Sequence, residues 1–542
     1  MNPQGIAEMS IPRSDASKFD ESSFLLASRH EDELDAVMTR LIESLSQKDR
    51  RRSYGFGIVS IAVALSACTE GDSSGGGSDN SHEGESLLDG NTPAPTAIIQ
   101  PLSLDLYNPS DRDFIPYNNV VATEVVEVSP NQFLHFFNVL LDVESSSGNE
   151  IPNKSNLVIL ELDEAGISIF DHQTINGNAL MHFGDLNRDG VISLVMTLAG
   201  EDGRILFEPQ QAQMQNLIYD VSTKTITYFG EPSWSHGGAI VDLTGDGFPE
   251  IIDSYFYGLG STIYDGRTLE VKKNGSVFEA GPGMNAFAFG DINNDGNLNF
   301  YQRVEDRYDE NSDNLIVGTV YQVNPDFNFP ILQEFVLGSF SGPSVPFVSW
   351  NGDPQNPDVR VMGDFLGVEF GEYQSWYSAL ADLNGNGYLD ILEILSFSSF
   401  FDSGEGYFVE GENQWKILIV FNADGSFLAE NAKLIDLPFS GAHHGSMLFD
   451  FNLNGHLDLY FNISDNNNGE GFKINDRIYL NDGSGNFSKL SDDIVFDFDP
   501  YFTRNGSYSP VRIGEETYLS GLSSDVFGND LSALLIPISD ML

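Results

Sequence analysis

One nine-residue, oxygen-rich loop recurs five times in this chain, and this repeat constrains the fold more than any other feature of the sequence. Each copy has Asp at position 1, an oxygen-bearing side chain at positions 3 and 5, and Gly at position 6. The copies are residues 185–193, 242–250, 291–299, 382–390 and 450–458. Such self-similarity is typical of an array of similar units that share one core, so the repeat predicts architecture before it predicts chemistry.

The polar positions of the loop match the oxygen ligands and the sharp glycine turn that a hard cation such as calcium requires. Up to five calcium ions are therefore expected, with ligands at positions 1, 3 and 5, at position 7 through the main-chain carbonyl, and at position 9 where it is acidic. The predicted ligands are Asp185, Asn187, Asp189 and Val191; Asp242, Thr244, Asp246, Phe248 and Glu250; Asp291, Asn293, Asp295 and Asn297; Asp382, Asn384, Asn386, Tyr388 and Asp390; Asp450, Asn452, Asn454, His456 and Asp458.

Position 9 divides the five loops into two groups. Ser193 and Asn299 stand where the other three loops carry a carboxylate, so calcium is expected to bind more weakly at the Asp185 and Asp291 loops. The alternative for any single loop is an Asp/Asn/Gly turn without metal. An EF-hand does not fit, because strand-like segments flank the loops and no Glu stands at position 12.

The segments around the loops predict an all-β fold. Each loop lies between two short apolar runs, and its apolar residues at positions 2 and 8 are expected to anchor it in the core. Loop-to-loop spacings of 57, 49, 91 and 68 residues suit four-stranded propeller blades. Residues 118–170 and 505–540 resemble blades without the loop, which gives seven blades in all. The 91-residue spacing holds either a long insertion or a blade that has lost its loop.

At this point the residues resemble a known family. The segments Phe183-Gly184-Asp185, Phe289-Gly290-Asp291 and Tyr479-Leu480-Asn481-Asp482-Gly483 are similar to FG-GAP/VCBS repeats, which form the calcium-binding blades of the integrin α-subunit propeller. The resemblance covers about residues 110–540. It implies a β-propeller domain, assigned here to residues 97–542, with calcium held in the loops between strands.

The net charge of the chain limits the ligands that it can be expected to bind. The net charge of −55 makes nucleic acid and anionic lipid unfavourable ligands. The five loops contain eleven carboxylates, and five divalent ions would neutralise only ten charges, so the surface stays strongly acidic. With a single cysteine, Cys68, no disulfide can form within the chain.

The N-terminal region resembles an export signal. A basic cluster (Lys48 and residues 50–52) precedes an apolar run at 54–65, which is shorter than the roughly 20 residues needed to span a bilayer. The end of the run, Leu65-Ser66-Ala67-Cys68, resembles the lipobox of bacterial lipoproteins, which implies lipidation of Cys68. By the same resemblance, Thr69 in place of Asp after the cysteine implies the outer membrane and not retention at the inner one, with the protein facing either the periplasm or the outside.

The predicted organisation has three parts. Residues 1–67 form an N-terminal extension and signal peptide; either translation begins at Met38 or residues 1–47 form a cytoplasmic segment. Residues 68–96 are rich in Gly and Ser and read as a flexible tether. The propeller follows.

A ligand site is expected at one mouth of the propeller channel. His236 and His444 each lie six residues before the first Asp of a loop, and Asn285 and Trp376 occupy the same place in other repeats. With His443, these residues form the candidate site; the alternative is that the shared histidines reflect descent from a common repeat. The aromatic segments 373–377 and 397–407 either form a sugar- or protein-docking face or are buried in the core.

The function predicted from these features is binding rather than catalysis. The sequence contains no nucleophile elbow, phosphate loop or His-x-x-x-His zinc motif, and its many carboxylate pairs identify no glycosidase site. We expect a monomeric, calcium-stabilised, surface-anchored binding or adhesion module for protein or glycan. The alternatives are a polysaccharide lyase-like enzyme that uses His236, His443 and His444 at the channel mouth, and a structural subunit of a surface complex.

Overall fold

The computed structural model describes residues 98–102, 104, 117–142, 154–176, 179–198, 215–231, 235–255, 260–275, 287–305, 315–340, 344–348, 358–370, 372–402, 408–437, 442–464, 477–490, 508–524 and 531–538. The chain divides into two units, Met1–Ser53 and Tyr54–Leu542, and everything described belongs to the second. The predicted signal peptide, the Met38 start, Cys68 and the tether lie outside the described residues, as does Asn285.

The described part of the chain is built from 32 β-strands and contains no helix, as the apolar pattern predicts. A helical membrane span is correspondingly not found among these residues. The strands form seven sheets, each with four antiparallel strands at its centre, arranged as a seven-bladed β-propeller. The expected fold class and blade number are thus confirmed.

Blades 1 to 3 are simple four-stranded meanders. Blade 1 comprises β2 (Tyr117–Ser129), β3 (Gln132–Asp142), β4 (Lys154–Asp163) and β5 (Gly166–Asn176); blade 2 comprises β6 (Ala179–Gly184), β7 (Ser193–Leu198), β8 (Asn216–Asp220) and β9 (Thr225–Phe229); blade 3 comprises β10 (Ser235–Val241), β11 (Glu250–Tyr255), β12 (Ser261–Asp265) and β13 (Val271–Gly275). The loop-free blade predicted at 118–170 is blade 1.

Blades 4 and 5 contain the long spacing between loops. Blade 4 comprises β14 (Phe287–Gly290), β15 (Asn299–Glu305), β16 (Leu315–Gln322) and β17 (Ile331–Ser339), extended by β20 (Gly363–Phe365) and β21 (Val368–Phe370); blade 5 comprises β22 (Glu372–Ala381), β23 (Asp390–Asp402), β24 (Phe408–Asn422) and β25 (Phe427–Asp436), extended by β18 (Ser344–Val348) and β19 (Asp358–Val361). The 91-residue spacing therefore holds an insertion that widens two blades, and not an additional blade.

Blades 6 and 7 complete the ring. Blade 6 comprises β26 (Ala442–Phe449), β27 (Asp458–Ser464), β28 (Ile478–Asn481) and β29 (Phe487–Lys489); blade 7 comprises β30 (Tyr508–Ile513), β31 (Glu516–Ser524), β32 (Leu531–Pro537) and β1 (Ile98–Leu102). β1 pairs antiparallel with β32, from Ile98 opposite Leu535 to Leu102 opposite Leu531. One strand from near the start of the propeller thus completes the last blade and covers an edge that would otherwise be open.

The first strands of the blades lie around the central axis. β2 contacts β6, β6 contacts β10, β14 contacts β22, β22 contacts β26, and β30 contacts β2. The apolar core lies in layers between successive blades. All five position-2 residues of the loops are at most 5% exposed, as expected: Leu186, Leu243, Ile292, Leu383 and Phe451.

The burial of the position-8 side chains is less uniform than predicted. Leu389 is fully buried, whereas Leu457 in the last loop is 36% exposed, so the expected second anchor is wrong for that loop. In the aromatic segments, Tyr377 and Phe397 are buried in the core, which favours the packing interpretation for these two residues.

Candidate calcium-binding loops and channel site

All five loops share one hydrogen-bond pattern. The position-1 Asp accepts the N–H of the position-6 Gly at 2.7–3.0 Å in every loop. The position-5 side chain accepts the N–H of position 7 at 2.8 Å in every loop. The second oxygen of the position-1 Asp accepts the N–H of position 5 in four loops, and that of Gly245, at position 4, in the loop of Asp242. The repeat is therefore one structural motif and not only a compositional pattern.

The main chain turns through two left-handed residues in each loop. The position-6 glycines have φ between 81° and 87°, in the region that favours glycine. Position 4 is also left-handed, with φ between 57° and 71°, although it is Arg188, Gly245, Asn294, Gly385 or Leu453. This geometry explains why Gly recurs at position 6. It also shows that the backbone at position 4 is restricted to the left-handed region. The sequence does not reveal this restriction, because the residue type at position 4 varies.

Four of the five position-9 side chains are buried and close their loops, whereas Ser193 is half-buried. Glu250, Asp390 and Asp458 each accept the N–H of position 2 in their own loop, at 2.7, 3.0 and 2.9 Å. Asn299 does the same for Ile292 at 3.0 Å through its amide oxygen. Asn299 thus performs the loop-closing role of a carboxylate without a negative charge. The prediction of weaker calcium in its loop therefore rests only on the missing charge at position 9, because the loop holds as many carboxylates as those of Asp382 and Asp450.

Burial perturbs the acids that close the loops. It raises the pKa of Glu250 to about 7, and the charges of Asp242 and Asp246 add to the shift. Burial likewise raises the pKa of Asp390 to about 7 and that of Asp458 to about 6, with smaller contributions from Asp382 and Asp450. These pKa values show that the anionic form is disfavoured by burial and by neighbouring negative charge, and a bound cation would relieve both.

The donor set fits calcium better than a transition metal. Among the described residues, no three His, Cys, Asp or Glu side chains are placed together to hold a metal ion. Ligation in these loops would therefore combine carboxylates with amide, hydroxyl and main-chain oxygens, which suits calcium. A carboxylate oxygen that accepts one N–H retains lone pairs for a cation. The residues present are compatible with calcium in all five loops; the loop of Asp242 holds three carboxylates, and each of the other four holds two.

Two asparagines connect the loops to neighbouring blades. The main-chain N–H of Asn422 donates to Asp390 at 2.8 Å, while its side chain donates to the carbonyl of Ile292 in blade 4 at 2.9 Å. Asn481 repeats this arrangement, with Asp458 in its own blade at 2.7 Å and Leu383 in blade 5 at 2.9 Å. The sequence prediction missed this role, although both asparagines end a third strand and could have been found by aligning the repeats.

The predicted channel-mouth residues share a backbone feature. The register of the first strand shifts at His236, Trp376 and His444, where each strand contains a β-bulge. Bulges redirect side chains and are frequent near binding sites. His443 pairs with Ile463 just before the last of these bulges. The side chains of these four residues lie outside what the structure describes, so convergence on one site stays a prediction.

A polar pair near the central axis was not predicted. Glu124 of β2 and Tyr377 of β22 are 8% and 4% exposed. Burial raises the pKa of Glu124 well above its usual range. Burial also raises the pKa of Tyr377, and the charge of Glu124 raises it further. β2 and β22 are the first strands of blades 1 and 5, so this electrostatic influence acts between blades that are not neighbours in the ring.

Comparisons with known proteins provide little beyond the fold. No protein family model matches the chain, and no curated protein matches it. An α-L-arabinofuranosidase from Fusarium graminearum, solved with an iminosugar inhibitor, is similar at 9% identity and a TM-score of 0.36, covering 83% of this chain and 98% of the other. The biofilm matrix protein of V. cholerae is similar at 12% identity and a TM-score of 0.30, covering 81% and 91%. Similarities this low carry no argument about function, and FG-GAP/VCBS membership stays a prediction.

Proposed function

We propose that this protein is a calcium-stabilised β-propeller that acts at the cell surface as a binding or adhesion module for a protein or glycan ligand. The observation that supports it is the common geometry of the five loops, each with an Asp at position 1 and oxygen donors at positions 3 and 5. Three of them are also closed by a buried acid whose pKa is raised.

Calcium would act on stability through these loops. Each loop joins the first and second strands of a blade, next to the central axis, and in four of the five loops the position-9 residue is buried. A cation would offset the repulsion between the position-1 and position-9 carboxylates, and it would hold the hairpin closed. Because the ion binds the folded loop and not the unfolded chain, its binding energy adds to the free energy of unfolding.

The anchor follows from the sequence of the N-terminal region. Lipidation of Cys68 would hold the protein at the outer membrane, and residues 69–96 would separate the propeller from the lipid by a root-mean-square distance of about 30 Å. The acidic surface would keep the propeller from lying on anionic lipid. In this arrangement the membrane is contacted only through the anchor, and the monomeric propeller presents its channel mouth, with His236, Asn285, Trp376, His443 and His444, to a ligand.

Thermal unfolding with and without calcium tests the calcium part of the proposal. Metal-stripped protein in excess chelator should melt several degrees below protein in millimolar Ca²⁺, and Mg²⁺ should restore much less, because Mg²⁺ demands a more rigid octahedral site. An unchanged melting temperature would refute the proposal.

A second experiment separates binding from catalysis. Calcium-loaded protein is incubated with polysaccharides, and the products are analysed for bond cleavage. Binding without cleavage, weakened in the double variant His236→Ala/His444→Ala, supports the binding module. Cleavage that the same double variant abolishes would instead establish the lyase-like alternative.

A further inference from the structure

A cavity of about 490 Å³ opens between blades 2 and 3. Gly230 and Glu231, which follow β9, form one side, and Tyr255, Thr262 and Tyr264 form the other. Tyr255 ends β11, whereas Glu250 of the predicted calcium loop begins it, so at about 3.3 Å per residue these two residues are roughly 16 Å apart. Tyr264 pairs with Ile251, so the other end of the lining approaches the loop. None of the lining residues is a predicted calcium ligand.

A cluster of hydroxyl groups forms the floor of this cavity. Tyr255 and Thr262 share a hydrogen bond between their hydroxyls, and the phenol of Tyr264 interacts with both. Behind them lies the fully buried carboxylate of Asp253, which accepts a hydrogen bond of 2.7 Å from Asn216 of blade 2. Burial, followed by the charge of Asp253, raises the pKa of both tyrosines, so both phenols stay protonated near neutral pH.

The shape of the cavity depends on a glycine. Gly230 has a left-handed φ of 74°, and a Cβ atom at this position would lie 2.6 Å from the phenol oxygen of Tyr264. The missing side chain therefore lets the hydroxyl cluster extend to the wall contributed by blade 2. The volume lies inside the range of roughly 300–1,000 Å³ that is usual for small-molecule sites.

The chemistry of the walls selects a neutral, hydroxyl-rich ligand. Hydroxyl and amide groups from Tyr255, Thr262 and Asn274 both donate and accept hydrogen bonds, as sugar hydroxyls do. Leu269 and Val271 add an apolar surface that can cover the C–H face of a ring. Among the described lining residues there is no basic side chain, and the net charge of −55 opposes an anionic ligand.

We propose that the cavity between blades 2 and 3 binds a neutral sugar residue, with the hydroxyls of Tyr255 and Thr262 and the amide of Asn274 as its recognition groups. This deepens the proposed function by naming a glycan as the ligand, and it adds a site apart from the channel mouth. It does not depend on calcium in the loops, so the two proposals can fail separately.

Saturation-transfer difference NMR on the full-length, calcium-treated protein tests the site. The probes are glucose, galactose, mannose and N-acetylglucosamine, with glucuronate as the anionic and glucosamine as the cationic counterpart. At least one neutral sugar should give saturation transfer, and glucuronate should give less. Thr262→Val, Tyr255→Phe and Asn274→Ala should each weaken binding about tenfold, because each removes hydrogen bonds to the ligand.

The matched controls are Thr227→Val and Tyr228→Phe, two exposed residues of β9 outside the cavity lining. They should bind sugar like the unmodified protein. The exposed Asn274 keeps the test decisive if a change at the buried Thr262 disturbs folding. No transfer to any neutral sugar at millimolar concentration, transfer only to glucosamine, or binding that survives all three cavity variants would overturn the proposal.

Discussion

Arg303 of blade 4 and Glu393 of blade 5 form an ion pair inside the protein, with 2.8 Å between Nη1 and Oε2 and with side chains only 3% and 0% exposed. Ser378 donates a further hydrogen bond of 3.2 Å to the other oxygen of Glu393. The pair joins β15 to β23 across the boundary between two blades. A buried pair of this kind adds little net stability as a unit, but it makes each partner depend strongly on the other.

Replacing one partner should therefore be much more harmful than replacing both. Arg303→Met leaves the Glu393 carboxylate buried without its cation and should lower the free energy of unfolding by about 3–5 kcal/mol. The double variant Arg303→Met/Glu393→Leu should recover most of that loss. Urea unfolding of the two single variants and the double variant measures the coupling, and an Arg303→Met protein as stable as the original would contradict this account.

The asparagine that links blades 5 and 6 should also be critical. Asn481 is 1% exposed, and its amide donates to the carbonyls of Leu383 and Leu457 at 2.9 and 3.2 Å. Asn481→Ala leaves both carbonyls without this donor and should cost about 2 kcal/mol or more. Asn486→Ala, in the same hairpin but exposed, is the control and should cost much less. Equal losses in the two variants would argue against a blade-linking role for Asn481.

The left-handed positions of the loops predict a stabilising change. Leu453 has φ of 59° and is 60% exposed, so its side chain gains little from packing and its backbone is strained. Leu453→Asn should raise stability by up to about 1 kcal/mol, because Asn tolerates this conformation better.

Replacing a left-handed loop glycine by alanine tests the same argument about backbone strain in the opposite direction. Gly387 has φ of 87°, and a Cβ atom there would meet nothing within 4 Å, so any penalty for Gly387→Ala comes from the backbone alone. We expect a loss of about 1–2 kcal/mol. Melting temperatures of both variants, measured in chelator to remove any contribution from metal, check the pair. A stabilised Gly387→Ala protein would show that the left-handed geometry is wrong.

A buried histidine should make stability depend on pH. His135 is fully buried beside Ser520, and burial lowers its pKa to about 3. Below pH 6.5 the unfolded chain binds a proton at this residue and the folded protein does not, so this contribution is complete above pH 6.5 and is lost as pH falls toward 3. At pH 5 the loss is roughly 2 kcal/mol.

The buried acids that close the loops have raised pKa values, so their effect on stability between pH 7 and pH 5 is opposite to that of His135. The effect of His135 must therefore be measured by comparing the original protein with a variant. The loss of stability between pH 7 and pH 5 should be smaller in His135→Gln than in the original protein, because the acids are common to both. Denaturant unfolding at several pH values gives the two slopes. Parallel curves would show that His135 takes up a proton as readily in the folded protein as in the unfolded chain.

If calcium binds as proposed, position 9 should set affinity in the weakest loop. Ser193→Asp adds the carboxylate that the loop of Asp185 lacks and should increase the number of ions bound at low micromolar Ca²⁺. Equilibrium dialysis with metal analysis counts the ions. Ser222→Asp, at an exposed turn of the same blade, controls for added charge. An equal increase in both variants would attribute the effect to net charge and not to the loop.

The sequence was most informative where a structure depends on neighbours along the chain. The loop hydrogen bonds join residues within nine positions of one another, so their pattern is visible in the Asp, Asn and Gly spacing. The strands flanking each loop were likewise predictable from short apolar runs, and so was the burial of position 2. Prediction was weaker at Leu457, because exposure at position 8 depends on what the next blade places against it.

The sequence by itself determined a repeated, oxygen-rich loop, an all-β chain and seven blades. Only the tertiary structure decided that Ile98–Leu102 completes the last blade beside Leu531–Pro537, that the charge of Glu124 raises the pKa of Tyr377 in a blade that is not its neighbour, and that a cavity opens beside Tyr255. The physical reason is sequence separation. Closing the ring, pairing charges between blades and shaping a cavity all join residues far apart in the chain, and such contacts leave no local periodicity to read.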